Sequence, residues 1–384
     1  MAEMIYFDNS ATTKIAPEAL QTMIQVMQNY YGNPSSLHKL GNESAKLLNS
    51  ARKQVADLLG AQSQEIFFTS GGTESNNWAI KGTAMEKAKY HGKHIIVSGV
   101  EHPSVRNTME ALHQDGFDIT YLPVDKSGKV HVEDVAAAIQ ENTILVSVMA
   151  VNNEIGTIQP ITEIGDLLEK YPTIHFHVDG VQSVGTFEKP LIHKRVDLMS
   201  FSAHKFNGPR GIGILYKKQN RVISHLLDGG GQEMGQRSTT ENLAGIVATA
   251  KALRMALTEA KAVKTKENAM QEKLRTFLAQ HTDLVQVFSP GDAAPHVLCF
   301  ALKGVRGEVM VHALEDEDII VSTTSACSSR AVNNTSSTLG AMKVYPVWAK
   351  QAIRVSFGKE NTMAEVDRFI EVYSQLMKKF ERIQ

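Results

Sequence analysis

With 384 residues the chain exceeds what one ordinary hydrophobic core accommodates, so two domains are expected, one of them large. Apolar residues make up 42% and charged residues 21%, the balance of a globular protein, and a formal net charge of -1 without a long basic run argues against direct nucleic-acid binding. The two cysteines, Cys299 and Cys327, are too few for a disulfide framework and fit a reducing cytoplasm; residues 1–9 lack the apolar core of a signal peptide, and the longest strongly apolar run, 144–151, is too short to cross a bilayer.

From about residue 50 helix and strand patterns alternate. Helical spacing covers 51–59, 74–90, 104–114, 132–140 and 161–170. Between these lie apolar, β-branched runs that predict strands at 65–69, 94–98, 118–124, 143–151 and 173–178. Two further strands are expected at 197–201 and 211–216, with little room between them for a crossover helix, so this pair is expected to be antiparallel. The whole reads as a doubly wound, mostly parallel α/β sheet. Residues 241–280 contain no Pro and are rich in Ala, Lys, Glu and Leu, which predicts a long helix leading out of the first domain. A strand at 297–302 and a helix at 307–315 follow. Val366, Phe369, Ile370, Tyr373, Leu376, Met377 and Phe380 form an apolar stripe on a terminal helix.

Two stretches about 25 residues apart close apolar runs, His177-Val178-Asp179-Gly180-Val181-Gln182-Ser183 and Ser200-Phe201-Ser202-Ala203-His204-Lys205. In open α/β sheets, ligands bind at the carboxyl ends of strands. An Asp and a Lys placed there are the pair that pyridoxal 5'-phosphate (PLP) requires, the Lys for a Schiff base and the Asp for the pyridinium nitrogen. Each alone has an ordinary reading, a turn cap and a solvated cation; together, flanked by Gln182, Ser202 and His204, they point to PLP. Ser70-Gly71-Gly72-Thr73-Glu74-Ser75 follows a strand and opens a helix, a place where free N–H groups and the helix dipole suit a phosphate, although a capped strand–turn–helix has the same pattern.

Other segments are open to two readings. His102, in Glu101-His102-Pro103-Ser104, is either a loop histidine before a Pro-initiated helix or a group that stacks on a planar cofactor and exchanges protons. Asn152-Asn153-Glu154-Ile155-Gly156 is either a turn or the source of an amide at the cofactor's phenolic oxygen. Arg354 is either a strand-edge cation or a carboxylate clamp. Cys299 sits in an apolar strand and reads as an inert core residue. Cys327 lies in the polar loop Ser322-Thr323-Thr324-Ser325-Ala326-Cys327-Ser328-Ser329-Arg330, where Arg330 favours a thiolate and a loop position favours function over a disposable surface thiol.

Taken in order, these segments resemble the cysteine desulfurases of the class V aminotransferase family. The resemblance covers nearly the whole chain, from Phe7-Asp8-Asn9-Ser10-Ala11-Thr12-Thr13 and Gly32-Asn33-Pro34-Ser35-Ser36 to Ser325-Ala326-Cys327 and Ile353-Arg354. It implies a fold-type-I PLP enzyme, homodimeric, that converts L-cysteine to L-alanine and leaves the sulfur as a persulfide on the enzyme. It implies a large PLP-binding domain over 16–255 and a small α/β domain from 1–15 and 256–384 that carries the cysteine loop. By matching motifs, Lys205 is the Schiff-base lysine, Asp179 the pyridinium partner, and His102 the stacking proton shuttle. Gln182 and Asn153 are implied near the phenolic oxygen; Gly72, Thr73, Ser202 and His204 at the phosphate; Thr240 at the phosphate of the other subunit; Asn153 and Arg354 at the substrate, Arg354 on its carboxylate; and Cys327 as the nucleophile. No metal is called for.

The chain departs from the family's housekeeping branch, which serves iron–sulfur scaffolds. Thr324 stands where that branch usually has Gly, Thr239 where Gly precedes the phosphate Thr, and the chain stops at Gln384 without a longer tail. The pattern around Cys327 is more similar to a branch dedicated to tRNA thiolation, including 4-thiouridine synthesis. The expected partner is therefore a sulfur-acceptor protein of tRNA thiolation; iron–sulfur assembly, a selenocysteine lyase and another class V lyase or transaminase are the alternatives.

Overall fold

A computed structural model describes residues 4–187, 191–324 and 336–382. Its largest sheet has seven strands in the order Ile66–Thr69, Gly213–Lys217, Leu198–Ser202, His175–Asp179, Thr143–Ser147, His94–Ser98 and Asp118–Leu122. Gly213–Lys217 runs antiparallel to both its neighbours, and every other pair is parallel. The expected antiparallel pair is thus present: residues 203–212 are too few to carry a crossover helix, so the chain turns back on itself. His94–Ser98, Thr143–Ser147, His175–Asp179 and Leu198–Ser202 are buried along their whole length, as strands covered on both faces must be.

Helices cover the sheet. Gly72–Lys87 and Pro103–Gln114 pack together, and Pro17–Asn29 and Lys39–Leu59 pack with the first part of Leu243–Ala279. Lys39–Leu59 starts well before the expected residue 51 and ends at Gly60, whose φ of 72° lets the chain leave the helix in the left-handed region. The sequence reading passed over Pro17–Asn29, whose apolar positions are divided between the core (Ala19, Val26) and solvent (Leu20, Ile24, Met27). The strand expected to reach 151 ends at Ser147; Val151 pairs instead with Ile158 in an isolated bridge, and the polar turn between them faces the site described below.

A second core surrounds an antiparallel four-stranded sheet, in the order Ser322–Thr323, Ala352–Ser356, Val297–Leu302, Val285–Val287. The long helix Leu243–Ala279 joins the two cores: Leu243, Ile246 and Leu253 belong to the first, and Met270, Leu274 and Leu278 to the second. The terminal helix Met363–Glu381 begins at a reciprocal Thr362–Glu365 capping box and buries Val366, Phe369, Tyr373, Leu376 and Met377, with Ile370 and Phe380 partly covered. The N-terminal strand Ile5–Tyr6 pairs with Ile319–Ile320, and Phe7 enters this second core. Among the described residues no helix is long and apolar enough to cross a membrane.

Candidate active site

The carboxyl ends of the parallel strands share one edge, because Asp179 pairs in register with Ser200 and Ser147 with His177. At that edge lies a cavity of about 500 Å³. Gly72, Thr73, His102, Asn153, Asp179, Gln182, Ser202, His204, Lys205 and Arg354 all line it. Ten residues singled out from separate stretches of sequence therefore meet in one place.

Asp179, the last residue of its strand, is only 4% exposed. Its Oδ2 accepts from Asn76 Nδ2 at 2.8 Å and its Oδ1 from the Val181 N–H at 3.0 Å. Two donors on a buried carboxylate fix its direction. Lys205 closes the 3₁₀ turn Ala203–Lys205, which follows directly on the strand Leu198–Ser202. Its Nζ donates to the Ser10 carbonyl at 2.6 Å and the Ala11 carbonyl at 2.8 Å. Gln182 Nε2 shares the Ser10 carbonyl at 3.0 Å.

His102 is the N-cap of Pro103–Gln114; its Nδ1 accepts from the Ser104 N–H at 3.1 Å and lies 2.8 Å from Ser104 Oγ. Burial lowers its pKa, against the charge of Asp179, while Lys205 and Arg106 push the same way as burial. The ring is therefore neutral at pH 7 and able to take up a proton. Beneath it Glu101 is buried and pushed up to about 8 by burial; Asp179 adds to that rise, and hydrogen bonds from Ser98 and the Met149 N–H oppose it. His204 is pushed down to about 4 by burial and by Lys205 and Arg210, and its Nδ1 lies 3.1 Å from Thr12 Oγ1.

Around the Gly-rich turn the packing is tight. A Cβ on Gly72 would lie 2.8 Å from Val181 Cγ2 and 3.3 Å from Ser202 Cβ, so the backbone reaches the cavity wall only as glycine. Across the cavity Arg354, on the strand Ala352–Ser356, donates from one terminal nitrogen to the Asn153 carbonyl at 2.9 Å and from the other to Asp8 Oδ1 at 2.8 Å. Thr240 does not line this cavity. It lines a smaller one of about 170 Å³, with Arg237 and Thr239, that abuts the first at Ser70 and Gly211. Cys327 lies outside the described residues. Cys299 is fully buried with its thiol pKa raised by burial, in keeping with a core residue.

The sequence reading missed several cavity residues. Asn76 lies one turn beyond Gly72 and three residues from Thr73, on the same helix face, and that spacing is the signal that could have found it. Ser10, Ala11 and Arg210 also line the cavity. Ser10 Oγ, Asn76 Oδ1 and Arg354 Nε are buried without a hydrogen-bond partner among the described residues. Unpartnered buried polar atoms around a cavity with a carboxylate at one wall, a lysine at another and a helix N-terminus at a third fit a polar, phosphate-bearing cofactor such as PLP.

The aminotransferase class-V family model matches residues 5–369. A NifS/IcsS protein homolog of Lactobacillus delbrueckii subsp. bulgaricus is 56% identical over 99% of this chain and 99% of its own length. A cysteine desulfurase IscS of Clostridium botulinum is 41% identical over 98% of this chain and 95% of its own. A solved NifS-like protein superposes with a TM-score of 0.90 at 37% identity, covering 100% of both chains. The fold, the site and these relatives define a class V aminotransferase-type enzyme whose cofactor is pyridoxal 5'-phosphate. Within that family the chain belongs to the cysteine desulfurases.

Proposed function

We propose that the chain takes sulfur from L-cysteine onto Cys327, releases L-alanine, and passes the sulfur to a protein acceptor in tRNA thiolation. The observation that carries the first part is the joining of Asp179, Lys205, His102 and Arg354 around one cavity. PLP, when bound, supplies an electron sink for charge developed at the substrate's α-carbon. The protein's own groups do the rest. Asp179 holds a fixed negative charge toward the ring nitrogen, directed by Asn76 and the Val181 N–H. Lys205 Nζ takes the α-proton. The neutral His102 imidazole takes and returns a proton beside it. Arg354, whose Nε is free of hydrogen bonds among the described residues, holds the substrate carboxylate. Of the residues lining the cavity, Thr73, Ser202 and His204 would hold the phosphate, with Gly72 admitting it, and Gln182 and Asn153 would bond near the phenolic oxygen.

The acceptor assignment is supported by the residue pattern around Cys327, with Thr324 before it. The enzyme is read as a cytoplasmic homodimer in which Thr240 completes the partner's phosphate site. Thr240 lies outside its own chain's main cavity, which suits that role. An exposed apolar row, Leu20, Ile24 and Met27, with Leu37 94% exposed, suits a subunit contact. The division into a large domain, 16–255, and a small one, 1–15 with 256–384, is supported by the two separate cores.

The test is sulfur transfer from radiolabelled L-cysteine by wild type and Cys327→Ala, each offered a 4-thiouridine-forming tRNA thiolation enzyme or an iron–sulfur scaffold protein. Wild type is expected to form alanine and a protein persulfide and to label the tRNA enzyme faster, while Cys327→Ala keeps the PLP absorbance and loses both products. Faster labelling of the scaffold moves the assignment to iron–sulfur assembly. Undiminished alanine release by Cys327→Ala removes the persulfide mechanism and leaves a lyase acting on cysteine or selenocysteine.

A further inference from the structure

Residues 325–335, which include Cys327, lie in the chain between two described stretches, 322–324 and 336–341, and each stretch contacts a residue that lines the cavity or is next to one. On the N-terminal side Ser322 pairs antiparallel with Arg354 and Thr323 with Ile353, so the chain leaves the sheet one residue past its register with Arg354. On the C-terminal side Ser336 caps the helix Ser337–Ala341: its Oγ accepts the Leu339 N–H at 3.0 Å and donates to Glu154 Oε2. Glu154 directly follows Asn153. It is buried, and its pKa is raised by burial, against hydrogen bonds from Ser336 and Thr338. Asn152 completes the attachment, with Nδ2 donating to the Val100 carbonyl at 3.0 Å and to Thr338 Oγ1 at 3.2 Å, and Oδ1 accepting the Glu154 and Ile155 N–H groups at 2.9 and 3.0 Å.

Turn formation alone explains Asn152. It does not explain a carboxyl group buried in contact with two hydroxyls from a segment some 180 residues further along the chain. Burying a carboxyl is costly unless its partners are fixed, and here the partners stand at the return of the cysteine-bearing segment. We propose that Glu154 and Ser336 are a positioning pair for the sulfur-transfer step, setting where that segment rejoins the fold relative to Asn153 and Arg354. The proposal rests on the reading of Cys327 as nucleophile. In that step the Cys327 thiolate attacks the substrate sulfur. An S–S bond forms, the Cβ–S bond breaks with its electron pair passing to carbon, and a proton completes the methyl group of alanine. The sum is cysteine plus thiol giving alanine plus persulfide, with no outside oxidant or reductant.

A substrate that needs no thiol attack separates positioning from general damage. In cysteine sulfinate the sulfur departs as sulfur dioxide when its bond to Cβ breaks, so Cys327 is not required. The experiment compares L-cysteine and L-cysteine sulfinate turnover by the PLP-loaded wild type, Glu154→Ala, Ser336→Ala, the double variant and Cys327→Ala. Glu154→Ala and Ser336→Ala are expected to lose about tenfold or more in kcat for cysteine, as for loss of a buried hydrogen bond. They should leave KM for cysteine and turnover of the sulfinate within about twofold. The double variant is expected to be no slower than the slower single one, because both remove the same contact. Equal losses on both substrates, or no loss on cysteine, overturn the pair's role. Cys327→Ala retaining full cysteine turnover overturns instead the reading on which it rests, and the two failures are told apart in one data set.

Discussion

Asn76 shows how much of this site depends on one side chain outside the recognisable segments. It gives one amide hydrogen to Asp179 Oδ2 at 2.8 Å and also donates to Ser104 Oγ at 2.9 Å, so it links the carboxylate to the helix that His102 caps. Without it, Asp179 keeps one donor in a place only 4% exposed to solvent. A missing hydrogen bond to a buried charge costs about 1–3 kcal/mol. Asn76→Ala is therefore expected to weaken PLP retention about tenfold, read by absorbance titration of the apoprotein, and to lower the melting temperature of that apoprotein. Equal affinity in the two proteins would mean that the Val181 N–H alone holds Asp179 in place. Of the paired residues, Asp179 and Lys205 were legible in sequence because each ends an apolar run. Asn76 was not, because its position lies inside a helix whose facing is set by what packs on it.

The element that confines the Gly-rich turn is the strand Gly213–Lys217. A Cβ on Gly213 would lie 2.4 Å from Thr69 Oγ1 and 2.5 Å from the Gly71 carbonyl group, and Thr69 Oγ1 is itself 2.7 Å from Ser75 Oγ. A side chain at Gly213 therefore displaces the backbone of the Gly-rich turn that lines the cavity. Overpacking of this kind costs about 1–3 kcal/mol. Gly213→Ala is expected to unfold at lower temperature by calorimetry and to bind PLP more weakly than its loss of stability alone explains. A variant that melts lower yet binds PLP as wild type would place the strain elsewhere in the strand. The ion pair between Glu74 and Arg237, at 2.7 Å, ties the same turn to the loop that carries Thr240. Strands and helices of this sheet were readable from their period. The irregular elements were not: Gln232–Gly235, with Glu233 and Met234 at positive φ, is held by the buried Arg52–Glu233 pair and by no local pattern.

Across the whole molecule, buried ionisable groups set a pH dependence. Glu101 and Glu267 are both pushed up to about 8 by burial, Glu267 on the helix that joins the two cores. His175, His177, His204 and His296 are pushed down, to between about 2 and about 4, by burial first in each case. The lowered histidines contribute stability that is present above their unfolded pKa, about 6.5, and lost as pH falls toward their folded values. The raised carboxyls do the opposite: their contribution is full below the unfolded value, about 4.3, and disappears as pH rises through about 8. Between about pH 7 and 8 the carboxyls outweigh the fading titration of the unfolded histidines, at up to about 1.4 kcal/mol per proton per pH unit. The melting temperature of the apoprotein is expected to fall across that interval, and Glu267→Gln to flatten the fall. A wild-type curve that is flat, or a Gln variant with the same slope, would show that Glu267 ionises as freely in the folded chain as in the unfolded one.

The order of residues alone determined the class of fold, the chemistry of the site and most of the side chains in it. These depend on local rules: a strand of β-branched residues ends where polarity returns, a glycine pair opens a helix, and an Asp and a Lys after buried strands belong at the ligand-binding edge. Tertiary structure alone decided which strand ends lie side by side. The register of Asp179 against Ser200 brings two stretches into one cavity, and the antiparallel return of Gly213–Lys217 presses a glycine against the Gly-rich turn. It also decided the contact of Glu154 with Ser336, because pairing across some 180 residues is fixed where the neighbouring Ile155 and Leu339 share one apolar cluster, and it leaves no periodic mark in the chain.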